Sequence, residues 1–378
     1  MKTYLRQQTK LFKRHNRQMF KHKFYKQLFF TILLLGVLFL SGCIFSPKTK
    51  VQTVTLLTTD NATQSELVEQ VSRFAKVNSL RAKMDLRFED NSYAEIGIAE
   101  KYKTANGIVT VQRPANIYLK VQIPIINTDL VQMTSDGEKF RVAILEDGGS
   151  GKLKKFVLGT NNADYSVLQK EVGKMEFDGN GKELKKNVNA FSNLRPQHFT
   201  DAMLMRPIDK ANYVYVQSTI AQVEEDSEKA KKSPLRKVLR GYYLLDELRK
   251  NADGSLSVLR RFWFDRVGGI RLARQQIFDD KGEIESDIVY GSMGNLTETG
   301  EYNGLPLQIV VTRPKERYKM SLTYQSPELV SIGETYPKEA FVLENRWNLQ
   351  EVDLDKEVQQ AIGQKPVSNN QKADARKQ

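Results

Sequence analysis

Asn116-Ile117-Tyr118-Leu119-Lys120-Val121-Gln122-Ile123 alternates polar and apolar side chains without a break, placing Ile117, Leu119, Val121 and Ile123 on one face of an extended chain. A period of two marks a strand with one buried face. Upstream the same period runs through Met84, Leu86 and Phe88 and through Val109 and Val111; downstream it continues in Phe140, Val142 and Ile144. Turn chemistry separates these runs at Asn106-Gly107, Arg113-Pro114, Ser135-Asp136-Gly137 and Asp147-Gly148-Gly149, at spacings that suit hairpins. The stretch therefore predicts an antiparallel meander.

Alternation returns from Tyr213 to Val223, Tyr242 to Leu248, Leu256 to Phe264, Ile270 to Phe278 and Ile284 to Tyr290, with final strands at Leu307 to Val311, Tyr318 to Tyr324 and near Phe341. Between the two strand-rich parts, residues 161–209 carry mixed charge and little alternation. After Arg195-Pro196, Phe199, Met203 and Leu204 can share a helical face. Glu224 to Arg240, dense in both charge signs and broken by Pro234, reads as a solvated loop. Ahead of the first strands, Thr63-Gln64-Ser65-Glu66 is a capping box. Leu67, Val68, Val71, Phe74 and Ala75 follow on one face, which predicts an amphipathic helix. One echo stands out: Val109 to Pro114 with Tyr118 matches Ile309 to Pro314 with Tyr318. Convergent turn chemistry is enough to explain it.

The chain opens on a leader. Nine Lys or Arg and no Asp or Glu occupy residues 1–27, an apolar run fills Leu28 to Leu40, and Leu40-Ser41-Gly42-Cys43 closes it with the only cysteine in the chain. At about 1.5 Å per residue, the apolar run spans roughly 20 Å as a helix, short of a ~30 Å hydrocarbon core. This is the pattern of a bacterial signal peptide (1–42) ending in a lipobox, in which Cys43 takes a thioether-linked diacylglycerol. An uncleaved anchor is the alternative, because no charge interrupts Leu28 to Phe45. Residues 43–62 read as the lipidated cysteine and a Thr-rich flexible tether, and 356–378 as a disordered tail.

Of the net charge of +13, nine units fall in the leader, so the remainder is near +4 and loses the basic signature of a nucleic-acid binder. With no second cysteine, a disulfide within the chain is excluded. A single histidine, His198, follows the leader. It leaves no His-rich metal site and reads as an ordinary capping or surface residue. No catalytic motif emerges. Gly148-Gly149-Ser150-Gly151-Lys152 lacks the spacing and the hydroxyl residue of a phosphate loop. No cofactor or metal ligand set is expected, and no enzyme activity. A sheet with this much apolar strand surface suits either a curved wall around a cavity or a plain two-layer α+β core.

In order along the chain, the capped helix, Ser79-Leu80-Arg81-Ala82, Arg113-Pro114-Ala115-Asn116-Ile117, Ile123-Pro124-Ile125-Ile126 and Ser135-Asp136-Gly137-Glu138-Lys139-Phe140 resemble the lipoprotein-localisation carriers of the LolA/LolB type. With Trp263, Phe264, Arg271, Leu272 and Leu305-Pro306, the resemblance covers most of residues 64–345. It implies a β-rich α+β fold over 63–355, a strongly curved antiparallel sheet forming an incomplete barrel with helices closing its concave side, and a helical or loop insertion at about 160–210. It also implies an interior that accepts acyl chains of lipoproteins or lipids. The cavity would be lined by Leu86, Phe88, Val109, Val111, Leu119, Val121, Phe140 and Val142, with Ile123, Pro124, Ile125 and Ile126 as an apolar contact loop. An acylated Cys43 would match the membrane-anchored receptor of the family, at the periplasmic face of the outer membrane. The chain is longer than one carrier domain, with the excess in residues 150–240. An envelope scaffold that binds other envelope proteins is the alternative function, and a cell-wall hydrolase a weaker one. Replacing the thiol tests the anchor: Cys43→Ala abolishes labelling by radioactive palmitate and leaves full-length precursor on a gel, whereas unchanged labelling would refute lipidation.

Overall fold

The computed structural model describes residues 54–90, 100–101, 104–123, 128–146, 151, 154–161, 163, 165, 196–299 and 301–363. Contacts divide the chain into residues 1–53 with Lys232–Leu235, of which only the turn at Pro234 is described, and a large body formed by the rest. Cys43, its lipobox Leu40, Ser41 and Gly42, most of the 148–152 glycine run, and Pro124, Ile125 and Ile126 lie outside the described residues.

The body begins with β1 (Thr55–Leu56) and α1 (Gln64–Ala75). At the start of α1 the Thr63 hydroxyl accepts from the Glu66 amide at 3.4 Å, while the Glu66 carboxylate accepts from the Thr63 amide at 2.7 Å, so the capping box is complete. Leu67, Val71 and Phe74 are its buried stripe. A first meander follows: β2 (Ser79–Asp90), β3 (Glu100–Lys101), β4 (Ala105–Gln112), β5 (Asn116–Gln122), β6 (Asp129–Asp136), β7 (Lys139–Ile144) and β8 (Lys155–Thr160). After α2 (Pro196–Met203) comes a second: β9 (Val214–Glu225), β10 (Lys237–Lys250), β11 (Leu256–Asp265), β12 (Arg271–Phe278), β13 (Ile284–Leu296), β14 (Tyr302–Arg313) and β15 (Tyr318–Tyr324). Then β16 (Ser331–Ile332), β17 (Gln350–Asp353) and α3 (Leu354–Gly363) complete the order.

Consecutive strands pair as hairpins within each meander, except that β3 and β4 both pair with β2, and β15 pairs with β2 from Tyr318↔Asp90 to Tyr324↔Met84. That ladder turns two meanders into one open sheet. The Gln325 amide extends it by donating to Asp85, 240 residues away, at 2.8 Å. The sheet is mixed rather than purely antiparallel, because β1 runs parallel to β10 and β17 parallel to β8. Both arrive over long connections, which a parallel pairing needs and a hairpin does not. Curvature follows from irregularity: register shifts interrupt the β10–β11, β11–β12, β12–β13 and β13–β14 ladders, and each such bulge bends and twists its strand. The result shows at α2, which touches β4, β5, β6 and β14. Five strand spacings separate β6 from β14, roughly 24 Å on a flat sheet, and an eight-residue helix is only about 12 Å long. The sheet is therefore curved, consistent with an incomplete barrel.

Several sequence expectations are corrected here. Asn106-Gly107 is not a turn but lies inside β4, where a side chain on Gly107 would stand 2.5 Å from Leu86. That glycine makes room and turns nothing, whereas Gly137, at φ 95°, does form the β6–β7 turn. The segment near Phe341 is a short 3₁₀ helix, Lys338–Phe341, that buries Phe341. Residues 356–363 belong to α3 rather than a disordered tail, because Leu354 and Val358 share a face that packs on the core. The solvated loop read over Glu224 to Arg240 is confined to residues 226–236, because β9 runs to Glu225 and β10 starts at Lys237. Within the stretch read as a tether, Thr55–Leu56 pairs with β10, and the Asp60 amide and carboxylate bond to Arg266 and Gly269. Any free tether ends before Thr55. The two copies of the Arg-Pro echo both form hairpins, β4–β5 and β14–β15, one in each meander.

The β15–β2 ladder carries the fold, so its buried residues should be costly to truncate. Leu322, fully buried opposite Leu86, should lose about 2–4 kcal/mol of unfolding free energy as Leu322→Ala in urea titrations. Leu256→Ala, on a half-exposed strand end, should stay within about 0.5 kcal/mol.

Candidate functional site

The eight side chains expected to line a cavity lie in one apolar cluster. Val109, Val111, Leu119, Phe140 and Val142 are buried in it, and Leu86, Phe88 and Val121 pack against it half-buried. The same cluster takes in Leu67, Val71 and Phe74 from α1, Phe199, Ala202 and Met203 from α2, and Leu204 and Met205 just after it. The helices thus bury their stripes against the face that carries the eight. Where α1 and the end of α2 meet β13, β14 and β15, a cavity of about 20 Å³ remains, lined by Phe74, Met203, Tyr290, Ile309 and Tyr324 among others. That is room for a single water. None of the eight lines it. Burial raises the pKa of Tyr290, whose hydroxyl has no hydrogen-bond partner among the described residues.

A larger opening lies toward the free end of the second meander. Residues 56–59, β9 and β10 enclose an open groove of about 490 Å³, with Leu56, Thr59, Ala221, Leu239 and Gly241 in its wall. Leu239 and Gly241 alternate in phase with Tyr243 and Leu245, which belong to the core, so the groove continues the apolar face. At its side Arg266 stacks 4.4 Å over the Tyr243 ring and donates to the Asp60 carbonyl and the Asn61 side chain, both at 2.9 Å. Ile123, the described member of the apolar contact loop, is half-buried and donates its amide to Thr128 at 2.9 Å.

Polar groups that sequence reasoning passed over hold the segment after α2 in place. Arg113, from the β4–β5 turn, donates to the carbonyl of Ala75 at the end of α1 and to that of Met205. Arg260 on β11 donates to the carbonyls of Arg206 and Pro207 at 2.8 and 3.2 Å. Its guanidinium is buried beside the buried carboxylate of Glu247, which also accepts from the Tyr215 hydroxyl at 2.6 Å. Burial, reinforced by that carboxylate, pushes the Tyr215 pKa up to about 12. The two meanders therefore each send one arginine to the same backbone segment. A signal was present in the sequence: Glu247 follows Leu245 and Arg260 precedes Phe262 in the apolar phase of their strands, and the two are register partners.

His198 is not the surface residue expected. It is buried on α2 with its ring nitrogen against the Tyr318 hydroxyl, because the helix turns that face toward β15. One turn on, desolvation raises the pKa of Asp201, against the pull of Arg206, Arg313 and Arg260; Glu285 adds to the rise. The residue keeps partial contact with solvent, but burial of its surroundings dominates at the carboxyl. Among the described residues no group of acidic, His or Cys side chains could hold a metal ion, and no helix is long and apolar enough to cross a membrane.

The ion pair offers a direct check. Glu247→Ala strands a buried guanidinium and should cost about 3–5 kcal/mol of stability in urea titrations, whereas Glu247→Leu combined with Arg260→Met should recover most of that loss.

No family model matches the chain, and no curated protein matches it. Among solved structures, it is similar to a LolA superfamily protein from Nitrosomonas europaea, 10% identical over 75% of this chain and 99% of that one, with a TM-score of 0.36. A DUF1329 family protein from Desulfovibrio piger is 10% identical over 75% and 97%, with a TM-score of 0.38. A putative outer membrane lipoprotein-sorting protein domain from Vibrio parahaemolyticus is 9% identical over 73% and 94%, with a TM-score of 0.34.

Proposed function

We propose that this protein is a lipid-anchored, non-enzymatic carrier or receptor of the bacterial envelope that binds acyl chains of lipids or lipoproteins on the concave face of its sheet. One observation carries the reading: an apolar face continuous across both meanders is covered, among the described residues, by two short helices rather than by a second sheet. Each methylene moved onto that face from water would contribute about 0.8 kcal/mol. A binding site of this kind needs no reacting groups, and release would follow from competition with a membrane. In this reading α1 and α2 close the concave side. The cover includes Met203 and Met205, whose unbranched side chains repack readily around a guest. Since the cavity beneath α2 holds only about 20 Å³, an acyl chain would enter by displacing α2 or by way of the open groove beside β9. Cys43 would hold the protein on the periplasmic side of the outer membrane, with Pro124, Ile125 and Ile126 available to touch membrane or cargo.

The small size of the cavity under α2, about 20 Å³, favours a second reading, an envelope scaffold whose outer faces bind other envelope proteins. The hydrolase reading finds less support, since the inward carboxylate Glu247 is held by Arg260 rather than facing a cleft. The carrier reading is tested on full-length protein extracted in mild detergent. Native mass spectrometry should show a co-purified lipid, and delipidated protein should take up a fluorescent fatty acid saturably. Protein free of lipid that also takes up none would overturn the carrier and leave the scaffold.

A further inference from the structure

The two ends of the open sheet are built differently. At one end β17 has four residues, carries Glu351 and Asp353, and leads straight into α3, which packs on it. Short, charged and covered edges are how proteins prevent strand addition. At the other end β9 has twelve residues, roughly 40 Å of strand. It pairs with β10 in twelve consecutive register steps without a shift, and its outer edge pairs with no strand among the described residues. No Lys, Arg or Pro interrupts Val214–Glu225, and its only charges are Glu224 and Glu225 at the far end. Val214, Val216 and Ile220 are 45%, 46% and 38% exposed on one face. There they adjoin Tyr242 and Leu244, which form a small apolar cluster with Trp263 on the side of the sheet away from the main core. A long, regular, apolar and unguarded edge is a template for another strand.

We propose that β9 pairs antiparallel with β9 of a second copy of this chain, about a two-fold axis through Ser218. Two constraints limit the register, and among the positions that satisfy both Ser218 gives the longest overlap within Val214–Glu225. Paired residues in an antiparallel ladder point to the same face, so a two-fold axis normal to the sheet must set one residue opposite itself. Centred on Ile220, the ladder would press Val216 against the partner's Glu224. Centred on Ser218, it sets Val216 against the partner's Ile220 and Val214 against the partner's Gln222, with every facing position from 214 to 222 neutral. The acidic end, Glu224 to Asp226, then overhangs the turn that carries the partner's Lys210, which is exposed in this structure. Strand hydrogen bonds would supply the affinity, the Val-Ile contacts would extend the outer apolar cluster, and the charges would select the antiparallel sense. The inference is independent of whether the concave face binds lipid.

Because Cys43 is the only cysteine, the register can be read by cross-linking. Opposed residues at the axis would have Cα atoms about 4.5–5.5 Å apart, within disulfide range. Full-length Cys43→Ala protein carrying Ser218→Cys should form a disulfide-linked dimer when oxidised glutathione accepts the two thiol electrons. Gln222→Cys should not link to itself, but should link to Val214→Cys when the two variants are mixed. Adding Val216→Lys to the Ser218→Cys variant should abolish its dimer, and native mass spectrometry of the Cys43→Ala protein should show a dimer that Val216→Lys converts to monomer. A monomeric mass without Val216→Lys, or cross-linking from Ser218→Cys no greater than from Ser255→Cys on the exposed β10–β11 turn or from Gln222→Cys, would overturn the proposal.

Discussion

The ladder between β15 and β2 is the constraint on which the rest of the structure depends. Without it each meander would present a bare edge at β2 or β15; with it the apolar faces of both merge into one wall. It joins residues near the start and end of the body, so its formation closes a loop of more than two hundred residues, an entropic cost recovered only once the merged face is buried. The side chains at the join, Leu322 opposite Leu86 and Met320 opposite Phe88, belong to or pack on the common core. Sheet pairing and core formation therefore have to occur together.

The segment that follows α2 is attached to both halves of the sheet. Arg113 reaches from the first meander and Arg260 from the second to the backbone that follows α2. The Arg260 guanidinium is tolerable in that setting because carbonyls and the Glu247 carboxylate satisfy it. These contacts fix the end of α2 while leaving its apolar stripe, Phe199, Ala202 and Met203, held by packing alone. Because His198 in the same helix also bonds to Tyr318, α2 is held at more than one point, and the wider groove near β9 offers a path that disturbs none of these ties.

Much of this was legible in local sequence. The alternation around Leu119 placed strand and buried face correctly because a strand's side chains alternate whatever its partners are. The Thr63 capping box located α1 because the cap lies within four residues of the helix it starts. Asn106-Gly107 misled because the pair fits a turn equally well; only the position of Leu86 across the ladder shows why the glycine is there. His198 misled for a related reason: its neighbours along the chain are polar, while the residue it meets, Tyr318, is 120 positions away.

The sequence by itself determined most of the long strands, which face of each is apolar, and where the first helix begins, since these follow from periods and caps written within about ten residues. Tertiary structure alone decided that the two meanders share one open sheet, that β1 and β17 join it in parallel, that Glu247 and Arg260 are buried together, and that β9 rather than β17 is the unguarded edge. Those outcomes depend on which distant segments meet, and an amphipathic strand carries nearly the same local pattern whichever neighbour it finds.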